Sequence, residues 1–192
     1  PDMKSIDIFA EHKGNYSLDD KVFNAHQKCA NGNDKMVYYV ASRFNLPKNF
    51  KDMVYLSQVT QNECIADATE HWRRNKGRCN GSMYWQLNDC WGVCSWSSID
   101  YYGNYKALQY GARHFNAPLS VSIENTDEYI KLFVLNDLKE KQDVTVTYDV
   151  FDFVSGTKQS NKKDVSIDAV QNEFVFEFDV KSLAKAYDLK RT

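Results

Sequence analysis

The densest run of chemically capable side chains is Gly81-Ser82-Met83-Tyr84-Trp85-Gln86-Leu87-Asn88-Asp89-Cys90-Trp91, followed closely by Trp96-Ser97-Ser98-Ile99-Asp100-Tyr101-Tyr102-Gly103. Indole and phenol rings stand there among amides and carboxylates. Sugars bind to such mixtures, because pyranose C–H faces stack on aromatic rings while the hydroxyls need short, fixed hydrogen-bond partners. A carbohydrate site is therefore the first chemistry these residues imply. Other chemistries find less support. Cys29, Cys64, Cys79, Cys90 and Cys94 form no Cys-x-x-Cys pair and have no His at ligand spacing, so neither a zinc site nor a cofactor is expected. Free, buried thiols are the expected state of the cysteines, with a Cys90–Cys94 disulfide as the lesser alternative. Reduced cysteines suit an intracellular chain, and a cytoplasmic location is the expectation.

Charge and length narrow the class further. The 192 residues carry a net charge of −2, which gives no basic surface for nucleic acid. No run of eighteen apolar residues occurs, so no membrane partner is expected. Pro1-Asp2-Met3-Lys4 has neither an initiator Met nor a signal-peptide layout, as in a segment of a longer protein. Two Asn-x-Ser sequons, at Asn15 and Asn80, are short enough to arise by chance.

The elements that must position the site fall in two regions. All tryptophans and cysteines precede Pro118, and the remainder is rich in Val, Ile, Phe, Thr, Asp and Lys, so a boundary is expected at residue 117. In the first region, Lys35 to Phe44 reads as a short helix ended by Leu46-Pro47. A longer helix is expected from Lys51 or Asp52 to Arg74, with Ile65, Ala68 and Trp72 at helical spacing and His71, Arg73 and Arg74 at the end favoured by the dipole. Ser82 to Leu87 reads as a buried strand opening into Asn88 and Asp89, and Tyr105 to Phe115 as another helix. Helix, strand and helix in that order suit a parallel α/β protein, in which polar residues at the strand's C-terminal end form the site. In the second region, strands are expected over Leu119–Ile123, Tyr129–Val134, Val144–Phe151, Val165–Ile167 and Phe174–Phe178. Turns are expected at Asn136-Asp137, Ser155-Gly156 and Asn161-Lys162-Lys163-Asp164. Five such strands resemble a portion of an immunoglobulin-like sandwich of about seven. Ser182 to Thr192 does not read as the missing strands, so the sandwich is expected to be cut short.

The first region resembles the glycoside hydrolase family 2 β-mannosidases. The resemblance is carried, in order, by His26-Gln27, Tyr38 to Phe44 ahead of Leu46-Pro47, Phe50 to Gln58, Glu70-His71-Trp72-Arg73-Arg74, Trp85-Gln86-Leu87-Asn88-Asp89, Trp96 to Gly103 and Lys106-Ala107-Leu108. It implies an α/β plus β chain: residues 1–117 as the last strand-helix units of a (β/α)8 TIM barrel, and residues 118–192 as a partial immunoglobulin-like β-sandwich. The implied activity is retaining hydrolysis of terminal β-mannosides by two glutamates, with carboxyl groups about 5–5.5 Å apart and no metal. The resemblance places both glutamates before Pro1, the nucleophile in a Ser-Glu-aromatic-Gly segment, so the chain alone is expected to be inactive. Glu11 precedes His12-Lys13-Gly14 rather than ending a buried strand and reads as a surface residue. Glu63 and Glu70 read as helix-surface partners at i, i+3 or i+4.

The implied substrate-binding residues are Trp85, Asn88, Asp89 and Trp91. Trp85 is either the platform for the non-reducing mannose or barrel core. Asn88 and Asp89 either hold sugar hydroxyls or cap the following loop. Trp91 and Trp96 read first as loop packing, His26 and Gln27 as near the site or structural, and Tyr101 and Tyr102 as cover for the barrel end. Gly92 and Cys94 stand where family members commonly carry Pro and a small aliphatic residue, which alters loop stiffness. The implied partners are a β-mannoside oligosaccharide and the remainder of the parent chain, which covers the open barrel edge. Other family 2 exo-glycosidases (galactosidase, glucuronidase, glucosaminidase) and a non-catalytic carbohydrate-binding module are the competing readings.

Overall fold

A computed structural model describes residues 1–11, 14–153 and 155–182. It divides the chain into two compact units, residues 1–69 with 82–116, and residues 70–81 with 117–192.

Five helices occur among the described residues: α1 (Met3–Phe9), α2 (Lys21–Ala25), α3 (Gly32–Ala41), α4 (Phe50–Arg74) and α5 (Ala107–Phe115). Each start has a visible cause. Asp2 accepts from Ser5 N at 2.8 Å and Asp20 from Val22 N at 2.7 Å, so side-chain caps open α1 and α2. Asn31 opens α3 from the left-handed region, at φ 54°. Asn49 caps α4 through Asp52 N at 2.9 Å. Asn75 Nδ2 closes α4 on His71 O at 2.8 Å, and Gly77 follows at φ 93°. The expected α3 ran about three residues too far at its C-terminal end; α4 falls almost where its periodicity put it, while α1 and α2 were not anticipated.

The first unit packs around two apolar clusters. Ile6, Ala10, Phe23 and Cys94 form one, with Phe50 and Val54 against it. Leu108, Ala112 and Phe115 of α5 form the other, with Ile65, Ala66 and Tyr84. The (β/α)8 strands are not shown in this unit. Ser82 to Leu87, expected as a buried strand, forms no ladder among the described residues, and Met83, Trp85 and Leu87 are exposed. Backbone pairing reaches only its end, where Gln86 O accepts from Ser98 N at 3.0 Å and Leu87 O from Ile99 N at 2.8 Å; Tyr84 packs on the α5 cluster, but no layer covers Met83, Trp85 and Leu87.

The second unit is a β-sandwich-like arrangement of β1 (Leu119–Asn125), β2 (Tyr129–Asn136), β3 (Gln142–Phe151), β4 (Lys158–Ile167) and β5 (Asn172–Asp179). An antiparallel sheet in the order β1-β2-β5 faces a β3-β4 ribbon. Leu132, Val134 and Val175 from the sheet and Val146, Val165 and Ile167 from the ribbon fill the space between them. Val121 and Ile123 pair with Val134 and Leu132 and so share the core face, yet remain exposed, whereas Leu119 at the start of β1 packs against the core. Asn161-Lys162-Lys163-Asp164 is not a turn: it lies inside β4, paired with Thr145 to Tyr148. Its residues are polar and largely exposed, and Lys163, opposite core Val146, donates from Nζ to Val175 O of the facing sheet at 2.5 Å, so no hydrophobic alternation marked the strand. The expectation for Ser182 to Thr192 falls, from residue 183 on, outside the described residues.

Within this unit the last turn of α4 is bound to the sheet by charge. Arg73 reaches Asp137 at 2.8 Å and Ser120 Oγ at 3.1 Å, and Lys76 also pairs with Asp137. Glu70 accepts from Ser122 Oγ at 2.7 Å and lies 3.9 Å from Arg74, the i, i+4 pairing expected of it.

Candidate functional site

The Gly81-to-Gly103 segment is held by a small set of backbone and buried polar contacts. Ile99 N donates to Leu87 O at 2.8 Å and Asp89 N to Ile99 O at 3.1 Å, so two stretches run side by side and bring Asn88 next to Ile99. Cys94 N donates to His26 O at 2.8 Å and Lys28 N to Cys94 O at 3.0 Å, which ties the loop after Asp89 to the His26-Gln27 turn.

Asp89 is the electrostatic centre of this segment. Its carboxylate is 1% exposed and accepts from Ser97 Oγ at 2.7 Å, from Ser95 Oγ, and from Lys106 Nζ at 3.1 Å. Lys106, with its side chain 2% exposed, also donates to Ser97 Oγ at 2.6 Å. A charge buried this far needs a partner and satisfied hydrogen bonds, and here it has both. Asp100 has a comparable role further along the chain. It is buried, accepts from Tyr102 N at 3.0 Å and Asn104 N at 2.9 Å, and takes Ser5 Oγ at 2.5 Å, which fastens α1 to the loop. The Lys106 side chain, which has donors but no acceptor, cannot cap α5; Gln58 Oε1 does so instead, accepting from Ala107 N at 2.9 Å.

The aromatic residues are left facing outward. Trp85 is 73% exposed and follows a Tyr84 ring that packs on the α5 cluster, with Tyr84 OH 3.1 Å from Ser98 Oγ. Its peptide bond to Gln86 is cis. Trp91 is 38% exposed and stacks on His26 at 4.9 Å between ring centroids, and His26 in turn stacks on Phe9 at 4.8 Å. The His26 Nδ1–H donates to the Gly92 carbonyl, so the middle ring of the stack is fixed edge-on as well as face-on. Gly92 sits close to its neighbours: a Cβ there would come within 2.8 Å of Tyr102 Oη and 3.0 Å of Phe9 Cβ, so a larger residue would need the Tyr102 side chain to shift. Trp96 is half exposed, and its carbonyl accepts from Gln61 Nε2 at 2.7 Å.

A cavity of about 490 Å³ opens in the same unit. Trp85, Trp96 and Gln27 line it with Phe23, Met53 and Val54, whereas Asn88, Asp89 and Trp91 do not. The residues read from the sequence are therefore distributed: Trp85 and Trp96 share the cavity, Trp91 belongs to the His26 stack, exposed Asn88 donates from Nδ2 to Asp89 O at 3.2 Å, and Asp89 is enclosed by its partners. Gln27 spends its amide on the start of α3, donating to Asn33 Oδ1 at 2.7 Å and accepting from Cys29 N at 3.1 Å. Ser97, Asp100 and Lys106 stand in segments that carry the resemblance, but no role was read for them or for Ser95; a lysine after Tyr105 carries no local signal of a partner seventeen residues away.

The cysteines are all free, with Cys94 buried and Cys64 and Cys90 exposed, which corrects the expectation of uniformly buried thiols. Burial pushes the Cys94 thiol above its ordinary value and leaves it a packing residue. Cys64 lies on α4 beside Arg43, whose guanidinium is 3.3 Å from its sulfur, and Cys90 on the exposed start of the loop after Asp89. Among the described residues no cluster of His, Cys, Asp and Glu is placed to hold a metal.

Three comparisons bear on this geometry. Residues 128–192 match the Mannosidase Ig/CBM-like domain. The β-mannosidase of Bos taurus is 44% identical over 115 residues, 53% of this chain and 13% of that protein. The β-D-mannosidase of Dictyoglomus thermophilum superimposes with a TM-score of 0.86 at 30% identity, over 94% of this chain and 22% of that one. An exo-chitosanase of Amycolatopsis orientalis shares the fold, with a TM-score of 0.66 at 21% identity over 90% of this chain and 20% of its own. The chain thus spans less than a quarter of the length of each of these relatives, and its resemblance to β-mannosidases is carried by sequence and by fold.

Proposed function

We propose that this chain is a C-terminal portion of a retaining exo-β-mannosidase, which removes terminal non-reducing β-D-mannose from oligosaccharides. The observation that carries the reading is the likeness to the Dictyoglomus thermophilum enzyme over 94% of the chain. On this reading residues 1–117 are the last units of a (β/α)8 barrel and residues 118–192 the start of the sandwich that follows.

Trp85 supplies the sugar platform. An indole left three-quarters exposed beside a cavity is free to stack on a pyranose face. Asn88 and Trp91 flank it as polar and aromatic contacts, and Asp89 acts indirectly, by holding the loop that carries Trp91. The hydrolysis itself requires two carboxyl groups about 5–5.5 Å apart, one giving and regaining a proton, the other forming the glycosyl-enzyme bond. Both lie in the longer protein outside these residues. Glu63 paired to Arg43 at 3.0 Å, and Glu70 held by Ser122, support that assignment, since each is already engaged. The exposed apolar side chains of Met83 and Leu87, and the apolar cavity wall of Phe23, Met53 and Val54, are the surfaces that the remainder of the parent chain covers.

The test is the full-length protein on p-nitrophenyl β-mannoside beside the β-galactoside, β-glucuronide and β-glucosaminide. Turnover of the mannoside above the others, lost on replacing the Glu of a Ser-Glu-aromatic-Gly segment upstream of Pro1, is expected. Preference for another glycoside, or activity indifferent to that Glu, refutes the reading.

A further inference from the structure

We infer that Lys106 is a positioning residue for the sugar-binding loop, a role that rests on the glycosidase reading above. The loop from Cys90 to Trp96 leaves Asp89 and returns to the same carboxylate: Ser95 and Ser97 both donate to it, and Ser97 N donates to Ser95 Oγ at 3.1 Å. Lys106 closes this ring from outside the loop. Its ammonium reaches Asp89 Oδ2 at 3.1 Å and Ser97 Oγ at 2.6 Å, and its backbone N–H donates to Ser98 O at 2.9 Å. One residue at the head of α5 therefore fixes both ends of the loop that presents Trp91 and leads into Trp96.

The chemistry favours a lysine acting through position rather than through substrate contact. Lys106 borders the cavity together with Ser95, but its side chain is almost wholly buried and its ammonium is engaged by Asp89 and Ser97. A sugar hydroxyl would have to displace those partners to reach it. A neutral residue would leave Asp89 as an enclosed anion held by two hydroxyls only, and the loop would gain the freedom to open toward water. The indoles it carries would then sample several orientations, which weakens sugar binding more than the chemical step.

The experiment compares Lys106→Met and the doubly neutral Asp89→Asn/Lys106→Met with wild type in the full-length protein. Below the melting temperature of each variant, KM for p-nitrophenyl β-mannoside is expected to rise about tenfold with kcat changing much less. Amide hydrogen exchange over residues 90–96 is expected to rise in both variants. The double variant removes the uncompensated charge and regains melting temperature, so it carries the test if Lys106→Met does not fold. A double variant that recovers wild-type KM and wild-type exchange overturns the inference, because Lys106 then only neutralises a buried carboxylate. If the wild-type protein does not hydrolyse the mannoside at all, the proposed function fails on its own; exchange over residues 90–96 still decides whether Lys106 orders the loop.

Discussion

Replacing Asn136 with Ala should release two loops of the sandwich at once. Asn136 is fully buried at the end of β2. Its Nδ2 donates to Glu140 O and to Asp168 O, each at 3.0 Å, and its Oδ1 accepts from Leu138 N at 3.0 Å. One amide thus satisfies three backbone groups, two in the turn after β2 and one in the segment between β4 and β5. Truncation leaves all three without this partner. A buried group so deprived costs about 1–3 kcal/mol. Both loops have exposed residues beside them, so water replaces some of the loss, and a net cost of about 3 kcal/mol is expected from the low end of that range for three groups. That corresponds to about a hundredfold rise in local opening. Hydrogen exchange measured by mass spectrometry over peptides spanning 137–141 and 168–171 reads it directly, with a peptide in α3 as the internal control. Asn136→Asp should be at least as damaging, since it sets a carboxylate oxygen against two carbonyl oxygens where the amide donated. Exchange in both loops equal to wild type, or Asn136→Asp behaving better than Asn136→Ala, would show that the three bonds do not hold these loops.

Three further outcomes are expected. In the full-length protein, Trp85→Ala should lower kcat/KM on a β-mannoside by about one to two orders of magnitude, the loss of an aromatic burial worth about 1.5–3 kcal/mol. Its melting temperature should hardly move, because the ring is mostly exposed without ligand; an unchanged kcat/KM would remove Trp85 from the site. Burial would by itself raise the Asp137 carboxyl, but the hydrogen bond from Lys76 and the charges of Arg73 and Lys76 prevail and hold it below the usual carboxylate range. Its contribution is therefore present above the unfolded value of about 3.9 and is lost as pH falls through the lower folded value. Urea midpoints taken from pH 7 down to pH 2 should fall less steeply in Asp137→Asn below pH 4, and identical slopes would exclude the linkage. Residues 1–192 expressed alone should give an oligomeric or aggregating product on size exclusion, given the uncovered Met83, Trp85 and Leu87 and the exposed Val121 and Ile123 on β1. A sharp monomeric peak with cooperative melting would count against that.

Local pattern made much of this molecule readable in advance. Val, Ile, Phe and Tyr at alternate positions marked β1, β2, β3 and β5 to within a few residues, because one face of each is apolar and the other wet. The basic residues His71, Arg73 and Arg74 marked the end of α4 for a related reason, since dipole partners act within a turn of the chain. Legibility ended where the signal was not local. β4 is almost all polar before Val165, so only its pairing with β3 makes it a strand. Ser82 to Leu87 has the apolar content of a buried strand, but burial is a property of neighbours: Tyr84 meets the α5 cluster, while Met83, Trp85 and Leu87 stay exposed. The Asn15 and Asn80 sequons are exposed, and Asn80 Oδ1 accepts from Gly77 N at 2.8 Å in the turn after α4.

The same division runs through the site. The residue types between Trp85 and Tyr102 determined by themselves that the chain would carry aromatic and polar groups suited to a sugar, because ring and amide chemistry belongs to the side chain wherever it is placed. Tertiary structure alone decided which of them face outward. Asp89 and Asn88 are adjacent and equally polar in sequence, yet one is enclosed by Ser95, Ser97 and Lys106 and the other is exposed. The partner that makes the difference enters from the head of a helix folded back onto the loop, and the cost of burying a charge without it is what selects that arrangement.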